Sequence, residues 1–341
     1  MKCILLILVL AGLGYYAYFQ HWLLVEFNYP LKFTNPIAEA PITIEPRPLD
    51  EFTLDHLAQR EYPSSPIILE RVMGQGKGFT SYLFTYKSDG KKVSGMAIIP
   101  LPQADQVISP VIIMIRGFVD EENYQTGVGT WRAGEIFAQN GYIVLAPDFL
   151  GYGESDPPED DIFWERLNRP VQILNLITSV GTLAQADKER IGLWGHSNGG
   201  QLALSILEIT QKDYPTSLWA PVSKPFPYSI LYYTDEFDDQ GAQLRFELAK
   251  FEKLYDVHKY SIIDYLNRIT APIQLHQGTI DDSVPIEWSN DLTQQLKTNE
   301  IQVTYYTYPE ADHNMSGSWK AVVQRDVEFF NKLLKADKQQ M

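Results

Sequence analysis

A serine between glycines, in residues 195–199 (Gly-His-Ser-Asn-Gly), is the strongest chemical signal in this chain. The apolar residues 191–194 before it predict a short buried strand, and residues 198–210 after it have helical apolar spacing. A strand-to-helix turn this tight requires neighbours without side chains, which the flanking glycines provide. The helix N-terminus favours negative charge developing beside Ser197. The pattern predicts a nucleophilic serine, and the alternative is an ordinary glycine-rich turn.

Two further motifs supply a candidate base and a candidate acid. A serine hydroxyl needs a base to take its proton, and the base needs a carboxylate to fix its tautomer. His313 follows a predicted strand at 303–308, and Asp281 and Asp282 follow another at 273–276. Only one of these two aspartates can hold the imidazole. Serine, acid and histidine each follow a strand, so they are expected to meet at the carboxyl edge of a parallel sheet.

Other histidines and acids have structural interpretations. His276 lies inside a predicted strand and His196 lies beside the serine, and structural roles are expected for both. A lone loop histidine is often merely solvated, which is the alternative for His313. Three further aspartates are expected to shape loops or turns: Asp148, Asp156 and Asp312. An alternative acid could follow an earlier strand than the one before Asp281, in the acid-rich segment that contains Asp235, Asp238 and Asp239.

An oxyanion hole needs two backbone N–H donors near the serine. Asn198, directly after Ser197, is the first candidate. The second is expected in the turn after the apolar run 111–115, and we assign it to Phe118.

The pattern of the chain changes from period two to alternating strands and helices. Residues 67–99 predict antiparallel strands, with a hairpin turn at 88–91. Buried strands are expected at 111–115, 142–147, 190–194, 217–222, 273–276 and 303–308, and helices at 131–140, 163–186, 286–297 and 318–335. This alternation predicts an α/β fold with a mostly parallel central sheet and helices on both faces. Residues 223–270 break the rhythm and are expected to form an insertion over the site.

Composition excludes several classes of protein. The chain has 341 residues, of which 45% are apolar, so a large core is available. A net charge of −15 argues against nucleic-acid binding. The single cysteine excludes an intrachain disulfide framework, and no Cys/His cluster indicates structural zinc. We predict no cofactor and no metal.

The N-terminal residues 1–25 have a separate character. Residues 4–19 carry no charge, and a helix over 4–25 would be about 33 Å long, enough to cross a bilayer. This favours a membrane anchor, and the alternative is a cleaved signal peptide. Either would place the remaining chain outside the cytoplasm, anchored or secreted. Residues 26–66 read as a proline-rich linker with a short helix near 49–60, and 67–337 as the catalytic domain.

Residues 187–200, 276–285 and 312–313 resemble the catalytic domain of the prolyl oligopeptidase family of serine peptidases, within the α/β-hydrolase superfamily. The resemblance covers roughly residues 75–335. In that family the first aspartate of an Asp-x-x-Val stretch is the triad acid, which implies Asp281; Asp282 is then expected to cap the helix that follows. The family's usual His-Gly-Gly or Tyr-Gly-Gly turn is Arg-Gly-Phe here.

The resemblance implies hydrolysis of a small peptide or ester through an acyl-enzyme on Ser197. The first hypothesis is a serine peptidase, with His313 as general base and Asp281 as the orienting acid. The second is an esterase acting on small acyl esters. The third is an inactive binding protein on the same fold. The sequence leaves the oligomeric state open.

Overall fold

The structure, a computed structural model, describes residues 47–101 and 108–335. The predicted anchor or signal segment, residues 1–25, lies outside the described residues and stays a prediction. Within the described ranges, no helix is both long and apolar enough to span a bilayer.

One mixed sheet forms the centre of the fold. Its strands, in chain order, are β1 (Ile68–Gly76), β2 (Phe79–Ser88), β3 (Lys91–Pro100), β4 (Ser109–Ile115), β5 (Ile143–Pro147), β6 (Ala186–His196), β7 (Thr216–Trp219), β8 (Ile273–Gly278) and β9 (Val303–Tyr308). Their spatial order is β1-β2-β3-β5-β4-β6-β7-β8-β9. Strands β4 to β9 pair in parallel, whereas β1, β2 and β3 pair antiparallel to their neighbours. The predicted mostly parallel sheet with antiparallel N-terminal strands is confirmed.

Helices cover both faces of the sheet. They are α1 (Leu54–Gln59), α2 (Trp131–Gln139), α3 (Ile162–Ser179), α4 (Asn198–Thr210), α5 (Tyr228–Leu231), α6 (Ala242–Leu254), α7 (Ile286–Thr298) and α8 (Trp319–Phe330). Strand β4 is buried along its whole length and apolar after Ser109, because alternate side chains face opposite sides of the sheet and helices cover both sides. Ile113 and Ile115 pack with α3 and α4, whereas Ile112 and Met114 pack with α2 and α8.

Some predicted boundaries shift in the structure. The predicted helix over 163–186 ends at Ser179, and Val180–Thr182 forms a 3-10 turn. Strand β6 then begins at Ala186, so the end of the predicted helix was wrong. The predicted strand over 217–222 is the shorter β7, which ends at Trp219. The predicted hairpin turn is present, with Asp89 and Gly90 both at positive φ.

The described part of the predicted linker packs on the core. Residues Pro48–Phe52 form a 3-10 turn, and the Thr53 hydroxyl then accepts the His56 N–H at 3.3 Å to cap α1. Four apolar side chains from this segment are buried: Leu49, Phe52, Leu54 and Leu57. Burying these side chains holds α1 beside α4, whose N-terminus carries Ser197.

The predicted insertion contains α5, α6 and several 3-10 turns. Its buried aromatic residues Phe226, Phe251 and Tyr260 pack together, and Phe251 contacts Phe163 of α3 with ring centroids 4.9 Å apart. Apolar burial thus fixes the insertion against α3.

Candidate active site

Ser197 occupies a strained turn between β6 and α4. Its φ of 55° and ψ of −121° are sparsely populated for a residue with a side chain. A Cβ on Gly199 would lie 2.0 Å from the Ile115 carbonyl oxygen, and one on Gly195 would lie 2.5 Å from the Gly199 oxygen. Close packing of the elbow on β4 therefore requires glycine on both sides of the serine.

The Ser197 backbone is fixed, whereas its hydroxyl is free. Its N–H donates to the Trp219 carbonyl at 2.9 Å, and its carbonyl accepts the Val222 N–H at 3.0 Å. The hydroxyl makes no hydrogen bond to any described residue, and the residue is partly exposed. Asn198 is the first residue of α4, so its N–H has no carbonyl one turn earlier in the helix to bond. The elbow thus presents a free hydroxyl beside a free backbone donor.

His313 is held by Asp281. The ring Nδ1 lies 2.9 Å from one carboxylate oxygen and 3.0 Å from the other. Since an ionised carboxylate only accepts, Nδ1 carries the proton. The ring's other nitrogen, Nε2, has no hydrogen-bond partner among the residues described. The imidazole is therefore in the tautomer that can accept a proton at Nε2.

Backbone contacts between the two loops bring this pair together. The Thr279 N–H donates to the Tyr308 carbonyl at 3.0 Å, and the Ile280 N–H donates to the Ala311 carbonyl at 3.1 Å. A Cβ on Gly278 would lie 2.2 Å from the Ala311 oxygen, so this approach needs glycine. The second of these bonds joins the two loops one residue before Asp281 and two residues before His313.

Three uncharged donors orient the Asp281 carboxylate in addition to His313. The N–H groups of Ser283 and Val284 donate to one oxygen at 3.0 and 2.8 Å, and the Gln277 amide donates to the other at 2.9 Å. Burial raises the pKa of Asp281, but the hydrogen bond and charge of His313, with the two N–H donors, outweigh it and leave the pKa lowered. The carboxylate is therefore ionised at neutral pH.

The prediction that Asp282 caps the following helix was wrong. Asp282 is exposed and accepts the Ser283 hydroxyl at 3.3 Å. Pro285, at the N-cap of α7, receives no side-chain hydrogen bond. The N–H groups at the start of this turn point instead to Asp281, because that carboxylate faces inward toward His313.

His196 connects the serine elbow to the histidine loop. Its ring centroid lies 4.6 Å from that of His313, and its Nε2 lies 3.0 Å from the His313 carbonyl oxygen. A carbonyl only accepts, so His196 donates. Burial, with repulsion from His313, lowers the pKa of His196 to about 4, which keeps the ring neutral at pH 7. This contact places His313 against the residue that precedes Ser197.

The loop after β4 runs alongside the serine. A Cβ on Gly117 would lie 3.1 Å from the Ser197 Cβ, and the Phe118 side chain is 64% exposed. The buried Arg116 guanidinium donates to the Gly117 and Asp148 carbonyls at 2.9 and 3.1 Å. These bonds anchor the segment that carries the predicted second oxyanion donor.

Asp148 organises the neighbouring loop as an acceptor. It takes hydroxyl hydrogen bonds from Ser94, Tyr124 and Thr126 at 2.6 to 2.9 Å. Burial raises its pKa, against the lowering effect of these donors and of Arg116. Asp156 similarly accepts the Lys92 N–H at 2.6 Å. Both contacts agree with the loop-shaping roles predicted for these aspartates.

The remaining candidate acids lie in turns of their own. Asp312 accepts the N–H groups of Asn314 and Ser316 at 3.0 and 2.9 Å, as expected of a turn residue. Asp239 accepts the N–H groups of Gly241 and Gln243, both at 2.8 Å. Asp235 and Asp238 are exposed, and neither is hydrogen-bonded to His313. Asp281 is thus the acid that the structure brings to His313.

The sequence did not reveal two residues that hold the site in place. Gln277 bridges Asp281 and the Ser289 hydroxyl, at 2.9 and 2.7 Å. Asp326 is fully buried under the sheet, where it accepts from the indoles of Trp194 and Trp219 and lies 3.0 Å from His276. An acid on the apolar face of the α8 segment, between Val323 and Val327, was an available signal for the second. In the described ranges, no group of three acidic, cysteine or histidine side chains is placed to bind a metal.

Comparison with known proteins agrees with this architecture. The uncharacterized peptidase YtmA of Bacillus subtilis is 25% identical over 232 residues, which span 66% of this chain and 84% of YtmA. Dipeptidyl peptidase family member 6 of Caenorhabditis elegans is 25% identical over 186 residues, 51% of this chain but 24% of that protein. The chain therefore spans only a quarter of the length of this second relative.

Solved structures with the same fold include hydrolases of two kinds. Acetyl xylan esterase 1 from Thermoanaerobacterium sp. superposes with a TM-score of 0.59 and 18% identity, covering 83% of this chain and 94% of the esterase. Dipeptidyl peptidase 4 from Porphyromonas gingivalis gives a TM-score of 0.58 and 19% identity, covering 75% of this chain and 36% of that one.

The family model for the prolyl oligopeptidase family (Peptidase_S9) matches residues 131–337, more than half of the chain. This range contains the serine elbow, the acid loop and the histidine loop. The chain belongs to the prolyl oligopeptidase family and is a serine hydrolase of the peptidase or esterase kind.

Proposed function

We propose that this protein is a serine peptidase that cleaves small peptides through an acyl-enzyme on Ser197, with His313 as general base and Asp281 as the orienting acid. One observation carries the proposal. Asp281 holds His313 by Nδ1, while Nε2 has no partner among the described residues and the ring packs beside the Ser197 elbow.

Acylation begins when the Ser197 oxygen attacks the carbonyl carbon of the scissile bond and His313 Nε2 takes the hydroxyl proton. The Asp281 carboxylate stabilises the imidazolium that forms. His313 then donates this proton to the departing amine, and the acyl group remains on Ser197. A water molecule, deprotonated by the same nitrogen, attacks the ester, and His313 then returns that proton to the departing Ser197 oxygen as the acid is released. We expect the free Ser197 hydroxyl to bond Nε2 when substrate binds, because catalytic hydrogen bonds are often long in the free enzyme and tighten in the complex.

Charge on the tetrahedral intermediate needs two donors. We assign these to the backbone N–H groups of Asn198, at the start of α4, and Phe118, in the loop beside Ser197. Loss of one such donor costs about 3 kcal/mol of barrier in a known hydrolase.

Peptide cleavage is favoured by the family and by relatives described as peptidases. Ester cleavage is the second candidate, because the same acyl-enzyme chemistry serves esters and an acetyl xylan esterase shares the fold over 94% of its own length. An inactive binding protein would not need a strained serine elbow facing a hydrogen-bonded Asp–His pair.

Labelling with a fluorophosphonate probe tests the nucleophile. We expect the wild-type protein to be labelled and Ser197→Ala to lose all labelling. Ser316→Ala, which alters an exposed serine of the histidine loop, is the matched control and should be labelled normally. Labelling of the Ser197→Ala variant would show that another residue is the nucleophile. An unlabelled wild-type protein would favour the binding-protein hypothesis.

A second experiment tests whether the enzyme cleaves amide bonds or only ester bonds. Turnover of aminoacyl p-nitroanilides and p-nitrophenyl acyl esters would be measured for the wild type and Ser197→Ala. A peptidase hydrolyses both, since esters are the easier substrates. Ester turnover without any anilide turnover would replace the peptidase proposal with the esterase one.

A further inference from the structure

A small cavity containing two arginines adjoins the elbow. Its volume is about 50 Å³. Arg166 and Arg169 of α3 line it, together with Asn198 and Gln201 of α4 and Ser229 of the insertion. Apolar side chains from α1 and the insertion complete the wall: Leu54, Leu57, Phe226 and Ile230. The cavity therefore combines a cationic end with an apolar lining next to the residue that follows Ser197.

The two arginines are not equivalent. Arg169 donates to the Glu165 carboxylate at 2.6 Å, so its charge is balanced within α3. Arg166 makes no hydrogen bond and no ion pair with any residue that the structure describes. Burial, with repulsion from Arg169, lowers the pKa of Arg166 to about 10, so the guanidinium is still charged at pH 7. Arg166 is half-buried, so its guanidinium is partly desolvated and, without a protein partner, is available to pair with an anion in the cavity.

The size and lining of the cavity restrict the anion. A water molecule needs about 10–15 Å³ of such space, so the cavity holds roughly four water-sized groups. That volume accommodates a carboxylate on one or two methylene groups. The planar guanidinium of Arg166 matches a carboxylate in geometry, and the apolar wall suits the methylenes.

The position of the cavity indicates which part of the substrate enters it. Asn198 lines the cavity, and in the proposed mechanism its N–H binds the carbonyl oxygen on the acyl side of the scissile bond. His313, which hands its proton to the leaving group, is not among the lining residues. A group in the cavity therefore belongs to the acyl portion that becomes attached to Ser197.

We infer that the enzyme prefers substrates whose acyl-side residue is acidic, an aspartate or glutamate whose carboxylate is bound by Arg166. This inference rests on the proposed function, since it assigns specificity to the same Ser197 site. Arg169, held by Glu165, adds a second positive charge near the bound carboxylate.

The test compares acidic substrates with their neutral amide counterparts. Acetyl-Glu and acetyl-Asp p-nitroanilides would be assayed beside acetyl-Gln and acetyl-Asn p-nitroanilides, or the corresponding α-methyl esters if only esters are cleaved. We expect the wild type to favour the acidic member by tenfold or more in kcat/KM. Arg166→Met should reduce kcat/KM for the acidic substrates at least tenfold and change the amides by less than threefold. Arg166→Lys should retain part of the preference.

Arg71→Met is the matched control. Arg71 lies on β1 in an exposed ion pair with Glu154, and its replacement also removes one positive charge. It should leave the preference unchanged. Equal turnover of acidic and amide substrates by the wild type contradicts the inference even if Arg166→Met fails to fold. Parallel loss of both substrate classes in a folded Arg166→Met variant also contradicts it, as does a labelled enzyme that cleaves neither class. Absence of fluorophosphonate labelling would instead overturn the proposed function.

Discussion

Two histidine–aspartate pairs lie beside the same sheet, and their hydrogen bonds have nearly the same length. His313 Nδ1 lies 2.9 Å from Asp281, and His276 Nε2 lies 3.0 Å from Asp326. The first pair has a histidine side chain that is 15% exposed, whereas both members of the second are fully buried. Contact between an acid and an imidazole is therefore not what distinguishes the proposed catalytic pair.

The second nitrogen of each ring makes the difference. His276 Nδ1 is 2.7 Å from the Tyr308 hydroxyl, so both of its nitrogens are occupied. Asp326 also accepts from two indoles, from Gln274 and from Ser217. That network joins β6, β7 and β8 to α8, and a fully hydrogen-bonded buried network of this kind rigidifies this part of the sheet. His313 retains one nitrogen for chemistry, while His276 has none.

Replacing each histidine by glutamine should separate these roles most clearly. His313→Gln removes the general base, and we expect kcat to fall by about 10⁶-fold, the size of the loss for a triad histidine in a known serine protease. The folded state should be little affected. His276→Gln should keep kcat within tenfold of the wild type but destabilise the fold by about 1–3 kcal/mol, because it unpairs buried groups.

Steady-state turnover and thermal unfolding of both variants would check this double contrast. One result would contradict the structural role given to His276. It is a His276→Gln variant that melts like the wild type yet loses activity as severely as His313→Gln.

The two aspartates should show the same division with a smaller catalytic effect. Asp281→Asn keeps the shape of the side chain but favours the wrong imidazole tautomer, and we expect kcat to fall by about 10⁴-fold. Asp326→Asn should destabilise the fold by about 1–3 kcal/mol, since an amide nitrogen in place of one carboxylate oxygen leaves buried donors unpaired. Chemical denaturation and turnover would be measured together. A fully active Asp281→Asn enzyme would contradict the proposed role of that carboxylate.

The sequence predicted the first pair and not the second, for a physical reason. A serine elbow and an acid or histidine just after a strand are local patterns, and the parallel sheet then brings them to one edge. The partner of His276 depends on which helix covers β8 and on which face Asp326 points, and both are set by tertiary packing. The same dependence on tertiary packing explains the wrong prediction for Asp282. The adjacent Asp281 faces inward and accepts the backbone N–H groups instead. The anion-binding role proposed for Arg166 could not be predicted from the local sequence either, because it depends on the cavity beside Asn198.

A third histidine, His196, differs from these two in its predicted effect on the pH dependence of folding stability. Its pKa is lowered to about 4 in the folded protein by burial and by His313, against about 6.5 in an unfolded chain. Between these values the unfolded state binds more protons, so folding stability falls as the pH drops from about 6.5 to about 4. The full shift corresponds to about 3 kcal/mol, and His196→Gln, which keeps a donor for the His313 carbonyl, should lose this component.

Denaturant unfolding of the wild type and His196→Gln at a series of pH values would measure this component as the change in their stability difference. A constant difference between the wild type and His196→Gln from pH 7 to pH 4 would mean that His196 is protonated as readily in the folded protein as in the unfolded chain. A ring that gains a proton so easily could not remain the neutral support against which His313 packs.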